Sequence, residues 1–182
     1  ERVADLDAYP LSLAQQRWWL MEQLAPGTTL NNLPAAFRFK GPMDRQAFHG
    51  ALNAIVARHD ILRASFRLDG EQSTQIIERE VQVQLPYYDL SEHLLETRAE
   101  RLDGLFTEAK SRPMDLGQAP LFRAFLVRMS DDEHVFFMMP HHIIWDGWSW
   151  DIFLDELNEI YPVLARGETP GSSDLPIQYG DF

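Results

Sequence analysis

Side chains that can transfer a proton or carry charge are concentrated in residues 139–149, where His141 and His142 precede Asp146 and Gly147. A buried strand is predicted to end here and a helix to begin, and strand ends are where rigid scaffolds present functional groups. Because adjacent side chains of an extended segment point to opposite faces, the two histidines cannot both face one substrate. We expect one histidine to be anchored in the structure while the other faces the site. We expect Asp146 at the mouth of the helix, where free N–H groups favour a carboxylate.

Three interpretations of the histidine pair compete. A zinc site is disfavoured, because neighbouring histidines on opposite faces chelate poorly and the chain has no His-Glu-x-x-His pattern. Two structurally satisfied histidines are the ordinary explanation of an isolated pair. The third interpretation is a general base beside a tunnel, because imidazole titrates near neutrality and can accept a proton from an attacking amine.

The elements around this segment follow from capping and periodicity. Ser12 and Gln15 form a predicted capping box for a helix that runs to about Leu24, and Asp44 caps a second helix. Trp18 and Trp19 are interpreted as core residues on the face of the first helix. The second helix carries an apolar stripe of Phe48, Leu52, Ile55 and His59. Strands are predicted over residues 31–40, 62–68, 75–77 and 81–85.

The second half of the chain is predicted to contain two further helices and two strands. A third helix is predicted over about residues 92–110, with a buried side of Ala99, Leu102, Phe106 and Ala109. Two continuous apolar runs, residues 121–129 and 134–139, indicate strands covered on both faces. A last helix begins near Gly147, and Pro162 is expected to kink or shorten it. The predicted fold class is α/β, an α+β sandwich in which helices pack against a mixed sheet of undetermined strand order.

The composition excludes several classes of protein. The chain has 182 residues, of which 45% are hydrophobic and 24% charged, so it can build one globular domain or lobe. Its net charge of −12 argues against nucleic-acid binding, and the absence of cysteine excludes disulfides and thiolate metal sites. We see no apolar run long enough to span a membrane and no secretory signal, and we expect a cytoplasmic protein.

Several segments together resemble a known family. Residues 141–147 resemble the HHxxxDG signature of condensation domains from non-ribosomal peptide synthetases, within the superfamily that includes chloramphenicol acetyltransferase. Residues 12–19 resemble the family's first motif, SxAQxRxW, and residues 58–66 resemble its second, RHExLRTxF, with Asp60 in place of glutamate. Residues 113–124 are also similar to that family, and residues 179–182 resemble the start of the next motif, YxDFAxW. The order and spacing agree along the whole chain.

The resemblance implies a fold of two similar lobes with a substrate tunnel between them. Residues 1–182 would then be the N-terminal subdomain, with the second lobe absent from this chain. The implied activity is amide formation between a carrier-bound acyl or peptidyl thioester and a carrier-bound amine, so the enzyme would be an acyltransferase. An isolated first lobe would be inactive alone. Alternatives within the same fold are an epimerization-type domain and a non-catalytic docking or recruitment domain.

The resemblance also assigns roles to residues. His142 matches the family's active-site histidine, which either removes the amine proton or orients the amine and stabilises the tetrahedral state. Gly147 would let the backbone approach the reacting atoms closely. Asp146 would be the structural partner of an arginine that braces the loop; Arg63 is the first candidate and Arg58 the alternative. Trp145 is interpreted as a core aromatic residue.

The resemblance finally implies partners. No cofactor or metal is expected to bind directly, because the phosphopantetheine arm would come with upstream and downstream peptidyl carrier proteins. The missing second lobe and an adjacent adenylation domain are the other expected partners, and neither nucleic acid nor membrane is expected.

Overall fold

The structure is a computed structural model, and it describes residues 8–70, 72–171 and 175–181. The described residues form four α-helices and seven strands. Their bounds are β1 Ala8–Pro10, α1 Leu13–Leu24, β2 Ala35–Lys40, α2 Arg45–Arg58, β3 Ala64–Asp69, β4 Gln72–Ile77, β5 Tyr87–Asp89, α3 Leu95–Ser111, β6 Phe122–Ser130, β7 Glu133–Pro140 and α4 Gly147–Ala165. Two short 3₁₀ helices, Asp60–Arg63 and Tyr179–Asp181, complete the described elements.

The main sheet has four strands in the order β2-β7-β6-β5. Strands β2, β7 and β6 are antiparallel, whereas β5 joins the edge of β6 in parallel. A second sheet has the order β1-β4-β3 and is antiparallel throughout. The α/β class with a mixed sheet is therefore confirmed, and the strand order is a result that periodicity did not provide.

Strands β6 and β7 are covered on both faces, as their continuous apolar character predicted. Leu126 and Phe136 point to one face and belong to a core shared with helices α2 and α4. Phe125 and Phe137 point to the other face, into a smaller core that Leu102 of α3 joins. The sheet is thus the middle layer between helices, and its strand ends are held rigidly from both sides.

The predicted helix starts are confirmed by their caps. The Ser12 side chain accepts a hydrogen bond from the N–H of Gln15, and the Gln15 side chain accepts from the N–H of Ser12. The Asp44 carboxylate accepts from the N–H groups of Gln46 and Ala47 at the start of α2. These bonds satisfy amide groups that have no partner inside their own helix.

Three details of the prediction are wrong. Residues 81–85 alternate in burial but form no strand, because side chains of α2 bind the backbone of Val83: its N–H donates to Asn53 and its carbonyl faces His49. Ala99 of α3 is exposed rather than buried. The strand predicted over residues 31–40 begins only at Ala35.

Pro162 lies inside α4, and the helix ends three residues later, at Ala165.

Candidate active site

His141 lies at the end of β7 and is fixed in place. Its N–H donates to the carbonyl of Leu121 at 2.9 Å, and its Nδ1 accepts from the N–H of Ile143 at 3.0 Å. Its side chain is 2% exposed. Because Nδ1 is an acceptor, the proton of the neutral ring must sit on Nε2. His141 is therefore the anchored member of the pair that the alternation predicted.

Burial controls the charge of His141. Desolvation, with a smaller contribution from the neighbouring His142, lowers the pKa of His141 to about 4. The nearest carboxylate oxygen, Oε2 of Glu22, lies 3.9 Å from Nε2 and does not outweigh the desolvation. His141 is neutral at physiological pH and is held as a single tautomer.

His142 faces the opposite side, as predicted. Its N–H donates to the carbonyl of Asn31 at 2.8 Å, which holds the backbone. Its ring lines a cavity of about 470 Å³. The ring also stacks on Trp18, with ring centroids 4.0 Å apart and an angle of 19° between the planes. The structure therefore separates the two histidines into an anchor and a group that faces open space.

The cavity around His142 is mostly apolar with a few polar groups. The cavity wall is formed by helices α1, α2 and α4, by residues 142–146 and by the residues near Gln178. The polar groups include His59, Gln15, Ser149 and Gln178. A concave, mainly apolar site with a small number of polar groups is typical of small-molecule binding.

Asp146 caps helix α4. Its Oδ1 accepts from the N–H of Ser149 at 3.0 Å and from the Ser149 hydroxyl at 2.8 Å, and the Ser149 hydroxyl accepts from the N–H of Asp146 at 3.1 Å. The carboxylate thus lies at the helix mouth, as expected. At Gly147, the next residue, a Cβ atom would meet no atom within 4 Å, so this position leaves open space beside the segment.

The predicted arginine partner of Asp146 is wrong. Arg63 instead pairs with Asp60 and donates to the backbone carbonyl of Glu78. The ion pair is local, because the two charges lie three residues apart in the same 3₁₀ turn. Arg63 therefore braces the loop between α2 and β3, and Ser149 is the partner that the structure gives to Asp146.

The alternative partner, Arg58, is wrong as well. Its guanidinium lies 2.9 Å from Oε1 of Glu156, whose other oxygen is 2.8 Å from Nε2 of His59. Glu156 is buried on α4 and contacts both Arg58 and His59 at the end of α2. The RH pair of the second motif therefore connects α2 to α4 beside the cavity, and it does not contact Asp146.

Trp18 makes a contact at the site that the pattern of helix α1 did not predict. The helix pattern indicates a core residue at this position, as at Trp19, but the Trp18 ring reaches the cavity and stacks on His142. The available signal is the capping box, which fixes the phase of α1: Gln15 is buried, and Trp18 follows three residues later on the same face. Trp145 also lines the cavity, but it is 5% exposed and packs edge-on against Trp150, as a core aromatic residue does.

The structure offers neither a metal cluster nor a membrane span in the part of the chain that it describes. Within residues 8–70, 72–171 and 175–181, no group of three or more His, Cys, Asp or Glu side chains is arranged to hold a metal ion. Among the helices of the same residues, none combines the length and apolar character that a bilayer span requires. The imidazoles of His142 and His59 both line the largely apolar cavity, and His59 is paired with Glu156.

Comparison with known proteins identifies the family. The model of the condensation domain family matches residues 5–182. The chain is 41% identical over 176 residues to one component of the linear gramicidin synthase of Brevibacillus parabrevis, a match that covers 96% of this chain and 2% of that protein. It is 37% identical over 181 residues to the phosphinothricin tripeptide synthetase PhsC of Streptomyces viridochromogenes, a match that covers 100% of this chain and 17% of the relative.

Solved structures agree with this result. The starter condensation domain of rhizomide synthetase RzmA superposes with a TM-score of 0.82 at 25% identity, covering 93% of this chain and 42% of that one. The X-domain in its complex with OxyB from teicoplanin biosynthesis gives a TM-score of 0.86 at 30% identity, covering 100% of this chain and 38% of that one. The chain belongs to the condensation domain family, and it spans only a small part of the synthetases it matches.

Proposed function

We propose that this chain carries the active-site histidine of a condensation domain that forms an amide bond in non-ribosomal peptide synthesis. The proposal rests on the different surroundings of the two histidines. His141 is buried and hydrogen-bonded, whereas the ring of His142 lines the cavity. Only His142 can therefore meet a substrate. The family membership and the synthetase relatives support the same conclusion.

In the proposed reaction an amine attacks the carbonyl carbon of a thioester. The new C–N bond forms, the C–S bond breaks, and the amine proton must reach the departing thiolate sulfur. The imidazole of His142 accepts that proton from the amine and returns it to sulfur, so no other reactant is required. Asp146 supports this chemistry indirectly, because it fixes the start of α4 close to the His142 segment.

The proposed substrates reach the site on carrier proteins. An upstream carrier would present the thioester and a downstream carrier the amine, each on a phosphopantetheine arm. A mostly apolar cavity with few polar groups suits the thin, flexible end of such an arm and the attached acyl group. We further propose that the chain is the first of two lobes. Its coverage of 42% and 38% of the two solved chains supports this division.

The test is His142→Ala in the complete domain, with both carriers loaded and product followed by mass spectrometry. We expect amide formation to fall by about 10²–10⁴-fold, the usual contribution of a general acid–base group. His93→Ala is the matched control, because His93 lies before α3 and does not line the cavity. Product formation by His142→Ala at the control rate would contradict the assignment.

A docking role is the second candidate. The similarity to the X-domain, whose solved structure is a complex with OxyB, is the specific observation in its favour. A docking domain needs an outer surface, whereas the structure gives this chain an imidazole facing a cavity. Binding assays with neighbouring domains, together with the product assay, distinguish the two functions. A docking domain would form no amide even as the wild type, and its binding would be unchanged by His142→Ala.

A further inference from the structure

The ring of His142 has one close neighbour that the family signature does not specify. Trp18 stacks on it face to face, at 4.0 Å between centroids and 19° between planes. Within the segment resembling SxAQxRxW, Trp19 occupies the tryptophan position and Trp18 occupies a variable one. The family signature therefore does not specify the residue that makes this contact.

Other contacts hold the backbone of His142 but not its ring. The N–H donates to Asn31, which fixes the Cα position. The ring atom Nδ1 is buried and has no hydrogen-bond partner among the residues that the structure describes. Without a hydrogen bond to Nδ1, rotation of the imidazole about its side-chain bonds is limited by packing. The flat face of Trp18 is the packing surface that sets the plane of the ring.

Trp18 is itself held firmly. Helix α1 begins at the reciprocal bonds between Ser12 and Gln15, and the buried Gln15 side chain donates to Gln75 of β4 at 3.0 Å. Trp18 lies one turn after Gln15 on the same side of the helix and packs against the main core. The second sheet thus fixes α1, α1 fixes Trp18, and Trp18 fixes the imidazole plane.

We propose that Trp18 is a positioning residue for His142: its indole face holds the imidazole in the orientation that brings Nε2 to the attacking amine. The inference rests on the proposed function, because it gives the orientation of His142 a role in amide formation. Removing the indole face leaves the histidine present but free to turn away from the amine. The loss should therefore appear in kcat, because the residue acts on the reacting geometry and not on substrate capture.

The experiment compares Trp18→Leu, Trp18→Phe and Trp18→Tyr in the complete domain, with loaded carriers supplied as separate proteins and with kcat and KM measured from steady-state rates. Trp19→Leu is the matched control, since it removes an indole from the adjacent position, which packs on the core without lining the cavity. We expect Trp18→Leu to lower kcat about ten-fold with KM within about two-fold. An aromatic face remains in Trp18→Phe and Trp18→Tyr, so these variants should recover most of kcat.

Thermal unfolding of each variant separates positioning from stability. Trp19→Leu should lower the melting temperature while the folded enzyme keeps its kcat. If Trp18→Leu keeps the wild-type kcat, or if Phe and Tyr restore nothing, the positioning role is wrong. An equal loss of kcat in Trp19→Leu would also overturn it. His142→Ala is run in parallel: if it retains activity, the proposed function fails; if it is inactive while Trp18→Leu is unimpaired, only the role of Trp18 fails.

Discussion

The buried ring of His141 should make the stability of this chain depend on pH in a defined window. Burial lowers its pKa from 6.5 to about 4 in the folded state. Below pH 6.5 the unfolded chain takes up a proton that the folded chain does not bind, so the unfolded state is stabilised relative to the folded state as the pH falls. The contribution is fully present above pH 6.5 and is lost between pH 6.5 and pH 4.

The size of the effect follows from the shift in pKa. Each pKa unit corresponds to about 1.4 kcal/mol, so the loss between about pH 7 and pH 4 is about 3 kcal/mol. Solvent screens this effect little, because the side chain of His141 is 2% exposed. A loss of this size is a large fraction of the stability of an ordinary domain.

His141→Asn is the variant that isolates this effect. An asparagine oxygen can accept the N–H of Ile143 in place of Nδ1, as asparagine does in local turns, but it does not titrate. Urea unfolding is followed by tryptophan fluorescence at several pH values from about 7 to 4. The wild type should lose about 3 kcal/mol more than His141→Asn over this range. Carboxylates and His134, whose pKa burial also lowers, contribute equally to both proteins.

Parallel curves for the two proteins would contradict this prediction, because they would show that His141 does not titrate differently in the folded and unfolded states. A lower stability of His141→Asn at neutral pH does not bear on this result. The comparison concerns the dependence on pH and not the absolute value.

Two further predictions concern residues that brace the site. Asp146→Ala removes the cap of α4 and should lower the free energy of unfolding, measured by chemical denaturation, by about 1 kcal/mol. Asp146→Ser keeps a capping side chain and should be close to wild type. A loss several times larger in Asp146→Ala would mean that Asp146 has a partner beyond the cap. Glu156→Gln leaves Arg58 without its carboxylate and should cost about 3 kcal/mol. Glu156→Asp, which keeps the charge, should cost less, and equal melting temperatures for all three proteins would contradict the structural role of the pair.

The parts of the fold governed by local rules were predictable from the sequence. Capping at Ser12 and Asp44 and the two-sided burial of β6 and β7 depend on neighbouring residues or on a simple period. The strand predicted over residues 81–85 does not form, although burial does alternate there. Side chains of α2 bind the backbone of Val83 in place of a neighbouring strand. The sheet order was not predictable, because it depends on contacts between distant segments.

The site shows the same division. The separation of His141 and His142 onto opposite faces follows from the geometry of extended backbone, and the structure bears it out. The partner of Asp146 could not be predicted in this way, because Arg63 pairs with Asp60 and Arg58 pairs with Glu156. Composition and spacing predict that an arginine pairs with some acid, and only the folded positions decide which one.

The opposite orientation of the two histidines also means that the duplicated residue provides no redundancy. A chain that loses the imidazole at position 142 cannot recruit the one at 141, since a slip of one residue would break the bonds of this backbone to Leu121 and Asn31. Inserting or deleting one residue before His141 would exchange the two rings between core and cavity. Surface loops commonly tolerate changes in length, but this connection does not, because only the original number of residues places each histidine on its own face.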